Sequence, residues 1–175
     1  MEVWFLVAAI AVSICGACFD VVSARIPNQL TYSAMLVALV AHLALHGWRG
    51  LLDGVGGLLF GGGIFLVFFA IHAMGGGDVK MMATVGAWVG FSNTGEALIA
   101  SSICGGIMAI GYMLVLGRFR TTMRNVGSLL QFHSVSGAEV HPELNLSNPE
   151  AVRMPYGVAI ALGSVIVLCT TIWKG

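Results

Sequence analysis

The feature that most constrains this chain is a succession of long apolar runs with almost nothing charged inside them. Between positions 51 and 91, only Asp53, Asp78 and Lys80 carry formal charge. Of the 175 residues, 58% are apolar and 9% charged, against about a quarter charged in soluble domains. Such a chain folds in lipid, where only helices and closed barrels satisfy every backbone group. Crossing the hydrocarbon core as helix takes ~17 to 25 apolar residues, and the runs offer six candidates at 3–19, 29–46, 51–74, 79–91, 97–116 and 154–173. The expected fold is therefore all-α and polytopic: one transmembrane domain over 1–175, a bundle of about six transmembrane helices. The fourth run is too short to span at about 1.5 Å per residue. It must start inside the membrane boundary, break, or absorb neighbours such as Gly76 and Ser92.

The first run is read as a span and not a cleaved signal peptide, because Glu2 is the only charge before it and signal peptides open on a basic region. Formal charge is zero, so no basic excess suggests nucleic-acid binding, and none is expected. The basic residues set the orientation. Arg25, Lys80, Arg118, Arg120, Arg124 and Arg153 fall at one end of the predicted spans, and only Arg49 and Lys174 at the other. The positive-inside rule puts the first group in the cytoplasm, with both termini on the opposite, non-cytoplasmic side. Asp20 and Asp78 then share the cytoplasmic face, while Asp53 lies near the outer one.

A carboxylate deep in a bilayer costs on the order of 2.5–3.5 kcal/mol, so Asp78 needs a reason. One reading makes Asp20 and Asp78 helix caps or cytoplasm-facing groups. The other makes them a pair that shares a proton, one ionised to draw a proton from water and one protonated to polarise a scissile carbonyl, with no metal or cofactor. Gly75, Gly76 and Gly77 are poor helix formers that permit positive φ and close backbone approach. Non-helical backbone at this depth survives where it lines a wet cavity, and the bland alternative is a flexible turn.

GGGD at 75–78 fits the GxGD signature of the type IV prepilin peptidases. DVVSARIPNQLT at 20–31 resembles their first aspartate followed by a basic residue and IPN, and MPYG at 154–157 looks like the Pro-aromatic-Gly element that opens their last span. The resemblance implies an inner-membrane aspartic endopeptidase that removes short basic leaders from pilin-like precursors on the cytoplasmic side. Asp20 and Asp78 would be catalytic, and Gly75, Gly76, Gly77, Lys80, Pro27, Asn28, Pro155 and Gly157 would shape the site. The short chain is most similar to the Tad/Flp and preflagellin branches. Larger members carry a domain with two CxxC pairs after the first span and also methylate their product; with only a short connector after Asp20, no methyltransferase activity is expected. The alternative function is a small proton- or cation-coupled transporter using Asp78 beside an unwound glycine segment.

Other features read blandly. Cys15, Cys18, Cys104 and Cys169 are expected to be reduced packing residues, and no metal site is expected. His42 and His46, at i and i+4, read as interfacial histidines, and His72 as a hydrogen-bonding group. Gly50, Gly54, Gly57 and Gly61, with Gly86 and Gly90, have the spacing of close helix packing, and Met81 and Met82 read as gap fillers. In the cytoplasmic loop at about 117–153, Met123, Val126, Leu129, Leu130 and His133 share one helical face beside Arg118, Arg120 and Arg124, which predicts an interfacial helix. Glu139, Glu143 and Glu150 are either solvated loop residues or attractants for a basic leader. The expected partners are prepilin-like substrates and the lipid bilayer.

Overall fold

A computed structural model describes residues 3–71, 74–137 and 154–174. Its elements are five helices: α1 (Val3–Ser23), α2 (Asn28–Ala70), α3 (Gly76–Val115), α4 (Phe119–Ser136) and α5 (Tyr156–Lys174). Among the described residues there is no strand. By length and composition, α1, α2, α3 and α5 can each cross a membrane.

Two of them are far too long for a single crossing. The 43 residues of α2 would extend about 65 Å as a straight helix, twice the ~30 Å hydrocarbon core. Instead α2 breaks at Gly47 (φ 63, ψ −153), and Gly54 packs back against Leu39 and His42. In the same way α3 breaks at Gly90 (φ 72, ψ 171). Gly61 faces both Met82 and Thr94, residues that a straight helix would hold roughly 18 Å apart. The described chain thus forms six apolar helical arms: α1, 28–46, 48–70, 76–89, 91–115 and α5. The stretches left between the predicted spans at 47–50 and 92–96 are not loops, because glycine reaches the left-handed region at little cost and turns the chain within about one residue at Gly47 and Gly90. For the same reason Gly90 is a turn and not the second half of a packing motif.

The short arm, 76–89, is the axis of the bundle. Every residue from Met81 to Gly90 is buried, as expected of a helix apolar all round. It starts at Gly76, so it absorbs that glycine, whereas Ser92 belongs to the next arm. The arm 48–70 lies antiparallel to it, with Gly57 against Gly86 backbone to backbone. In lipid, such close approach of small residues replaces the hydrophobic drive that water would supply. On the α1 side Phe5, Leu6 and Ala9 join the core, and Gly16 accommodates the Met81 thioether, with Sδ 2.7 Å from where a Cβ would stand. Met81 and Met82 are fully buried, in keeping with gap filling. The arm 91–115 runs antiparallel to α5, pairing Glu96 with Lys174 at 2.7 Å, Ser101 with Gly163, and Gly105 with Tyr156.

Arg25, Lys80, Arg118, Arg120 and Arg124 fall at the end of the bundle where α1 stops and α3 and α5 start, and Arg49 and Lys174 at the other. Arg153 lies outside the described residues. Helix α4 leaves the bundle after α3, with Phe119, Met123, Val126 and Leu130 exposed at spacings that align them along one face.

Candidate active site

Three helix termini meet at the Asp78 end. The first is the end of α1, where Ala24 adopts φ 49, a left-handed conformation costing about 1–2 kcal/mol for a residue with a Cβ. Its N–H donates to the Asp20 carbonyl at 2.9 Å, and Ser23 Oγ donates to the Phe19 and Arg25 carbonyls at 2.7 and 3.1 Å. The chain therefore stops being helix just after Asp20 and crosses the bundle end. Pro27 (φ −62, ψ 133) then starts α2, its fixed φ suiting a helix entry, and Ile26 is buried beneath.

The second terminus is the start of α3. Gly75 is extended (φ −78, ψ 146), and Gly76 and Gly77 form the first helical turn. None of the three has positive φ, so the expectation that they unwind the chain is corrected: the third helical position carries Asp78, which bonds back to the Gly75 backbone as in half a capping box. That contact holds the first turn together despite its glycines. What the missing side chains provide is space, with Phe69 3.4 Å from where a Gly76 Cβ would stand and Ile26 3.5 Å from the Gly77 position. Lys80 Nζ donates to Asn28 Oδ1 at 2.7 Å and sits 5.6 Å over the Tyr32 ring, tying the starts of α2 and α3 together.

The third is the start of α5. Gly157 N–H donates to Asp20 Oδ2 at 2.8 Å, and a Cβ on Gly157 would stand 3.0 Å from that oxygen and 3.3 Å from Ala17 Cα. Tyr156 anchors this turn: its ring packs edge-on against Phe65 at 5.8 Å, and its hydroxyl donates to the Ser101 carbonyl at 3.4 Å.

Between the end of α1 and the starts of α2 and α3 opens a cavity of about 410 Å³. Asp20 and Asp78 both line it, with Pro27, Asn28, Gly75, Gly76, Gly77 and Lys80. Eight of the ten residues singled out in the sequence thus share one opening. Pro155 and Gly157 do not line it: Gly157 acts from behind, through Asp20, and the Pro155 carbonyl accepts from Val158 N–H at 3.2 Å. The structure adds Ala24, Arg25 and Ile26 to the lining. Arg25 and Ile26 sit inside the quoted motif, but alanine carries no mark of a positive φ. Two half-buried carboxylates on different helices, one cavity and access from the bundle end make an arrangement suited to acid–base chemistry on a polar substrate group.

Other candidates lie elsewhere. His42 is 3% exposed, stacked on Phe5 at 4.3 Å, with Nε2 3.2 Å from the Trp88 carbonyl. It is a core residue and not an interfacial one, because the fold-back at Gly47 brings other helices over it; His46 is exposed. Among the described residues no three His, Cys, Asp or Glu side chains are placed to hold a metal. All four cysteines are free, and Cys15, Cys18 and Cys169 point out of the bundle, so they do not pack the core as expected. His72, Glu139, Glu143 and Glu150 lie outside the described residues.

Comparison with known proteins bears on the same region. A family model described as the type IV leader peptidase family matches residues 6–110, a stretch containing Asp20 and Asp78 but not the start of α5. Similar curated proteins include prepilin leader peptidase/N-methyltransferases of Aeromonas hydrophila and Aeromonas salmonicida (strain A449), each 33% identical over 100 residues. Those matches cover 51% of this chain and 33% of each relative, so the shared region is about a third of the relatives' length. No solved structure matches the chain.

Proposed function

Because this chain belongs to the type IV leader peptidase family, we propose that it is an aspartic endopeptidase that removes the leader from prepilin-like membrane precursors, with Asp20 and Asp78 as its catalytic pair. The observation that carries the reading is the convergence of these two carboxylates, from α1 and α3, on one open cavity. In the reaction the ionised carboxylate takes a proton from water while the protonated one hydrogen-bonds the scissile carbonyl oxygen. Water oxygen adds to the carbonyl carbon, the proton passes to the departing amine, and the C–N bond breaks to leave an acid and an amine. Water supplies every atom added.

The rest of the assignment follows from charge. The basic residues clustered at the Asp78 end support a cytoplasmic location for the site in an inner membrane, with both termini on the other side. A short basic leader then meets the cavity from the cytoplasm while the hydrophobic segment of the precursor stays in lipid. Helix α4 lies on the anionic membrane surface, its apolar face down and Arg120 and Arg124 beside it. The proposal places the protein with the Tad/Flp branch and does not extend to methyl transfer, since residues 24–27 alone connect α1 to α2. Nothing in the geometry favours the transporter alternative. The test is cleavage of a synthetic prepilin-like peptide by purified protein in detergent, with Asp20→Asn and Asp78→Asn alongside; full activity in either variant refutes the pair.

A further inference from the structure

We infer that the first turn of α5 is the positioning device for Asp20, acting through the backbone N–H of Gly157; this rests on the catalytic reading of Asp20. The contact is direct: N–H to Oδ2 at 2.8 Å, across helices far apart in sequence. Four observations make it more than incidental packing. An amide N–H in the first turn has no intrahelical acceptor, so the Gly157 donor is free to serve another element. It sits at the positive end of the α5 dipole, which favours an anionic partner. The position admits no side chain without crowding, since a Cβ would meet Asp20 Oδ2 at 3.0 Å and Asp20 Cβ at 3.1 Å. And the turn is itself held from the far side, by Tyr156 on Phe65 and on the Ser101 carbonyl.

The consequence is an asymmetry between the two acids. Asp78 bonds back to its own helix, at Gly75. Asp20 is held by a different helix, which engages Oδ2 and leaves Oδ1 without a protein partner among the described residues. Any shift of α5 along α1 therefore moves one member of the pair and not the other. Gly157 touches no substrate in this scheme and is a positioning residue.

The test removes the donor without adding a side chain. Replacing Gly157 by glycolic acid converts its amide to an ester, and the equivalent ester at Val158, which loses only the turn bond to Pro155, is the structural control. The expected result for the Gly157 ester is a kcat about a hundredfold lower, the effect of a small misplacement of a reacting group, with KM and thermal midpoint close to wild type. The infrared carboxylate band of Asp20, assigned by its loss in Asp20→Asn, should shift. The Val158 ester should lower the thermal midpoint and leave kcat alone. Gly157→Ala, which keeps the N–H but crowds the carboxylate, should also lose kcat. An unshifted Asp20 band or a normal kcat in the Gly157 ester, with active wild type, overturns the positioning role alone. Equal losses in both esters reduce it to a stability effect and also overturn it. A wild-type protein that cleaves no precursor takes down the peptidase reading and this one together.

Discussion

The two ends of the bundle use aspartate alike and to different effect. At the end away from Asp78, Asp53 Oδ1 accepts from Phe91 N–H at 3.1 Å, at the start of the arm 91–115. At the other, Asp20 Oδ2 accepts from Gly157 N–H, at the start of α5. Each carboxylate serves a helix N-terminus whose donors would otherwise lack partners. The difference lies in what remains. Asp53 Oδ2 fills the space where a Gly90 Cβ would stand, so the carboxylate is packed into the turn, and His42 Nε2 meets the Trp88 carbonyl near the same break. The pocket of about 260 Å³ at that end, lined by Asp53, His42 and His46, is walled partly by groups that seat the break at Gly90. Asp20 shares its opening with a second acid, Asp78, whereas Asp53 is, among the described residues, the one acid lining its pocket. An aspartate set against a helix start has a structural task in both places; only at the Asp78 end does a second acid stand beside it.

That contrast can be broken most directly by neutralising each acid. Asp20→Asn and Asp78→Asn are expected to cut kcat by about 10⁴-fold or more, the scale for removing a member of a catalytic unit, with the fold retained; Asp53→Asn should still cleave and lose stability instead. Comparable losses of turnover at all three would erase the distinction. Next in size is Gly90→Ala, which forces a left-handed alanine and expels Asp53 from its seat. Thermal unfolding should register about 2–4 kcal/mol of lost stability, against no such loss if the break at Gly90 were a loop. Gly57→Ala, which wedges a methyl into the contact with Gly86, should cost about 1–3 kcal/mol in the same assay while leaving KM alone.

Smaller effects sharpen the comparison. Ala24→Gly relieves the left-handed residue that ends α1 and should stabilise by about 0.5–1 kcal/mol; a destabilised variant would mean that the conformation is not strained. Smallest of all is Lys174→Ala at the end away from Asp78. It breaks an exposed pair with Glu96 and should change stability by under about 1 kcal/mol, fading further in salt.

Much of the site was legible in the chain because its parts are local. GGGD and SARIPN are each short segments in which a helix must start or stop, and loop charge alone put Asp20 and Asp78 at one end and Asp53 at the other. The number of apolar arms was also readable, since membrane thickness sets the length of each. Less legible were the junctions. Gly47 and Gly90 look like their many neighbouring glycines, and only the contacts of Gly54 and Gly61 reveal that the chain folds back there. Likewise the three glycines before Asp78 read as an unwound segment, yet two of them are helical once Asp78 bonds to Gly75.

By itself, then, the sequence determined that this chain is a bundle of apolar helices with two acids at one face, because hydrophobic length and charge placement are one-dimensional quantities. Which helix holds which acid was decided only by the tertiary structure. The contact between Gly157 and Asp20 joins the two ends of the chain, and no local preference encodes a hydrogen bond whose donor is a bare backbone amide. It exists because packing brings α5 against α1 at Ala17, close enough for that one N–H to reach the carboxylate.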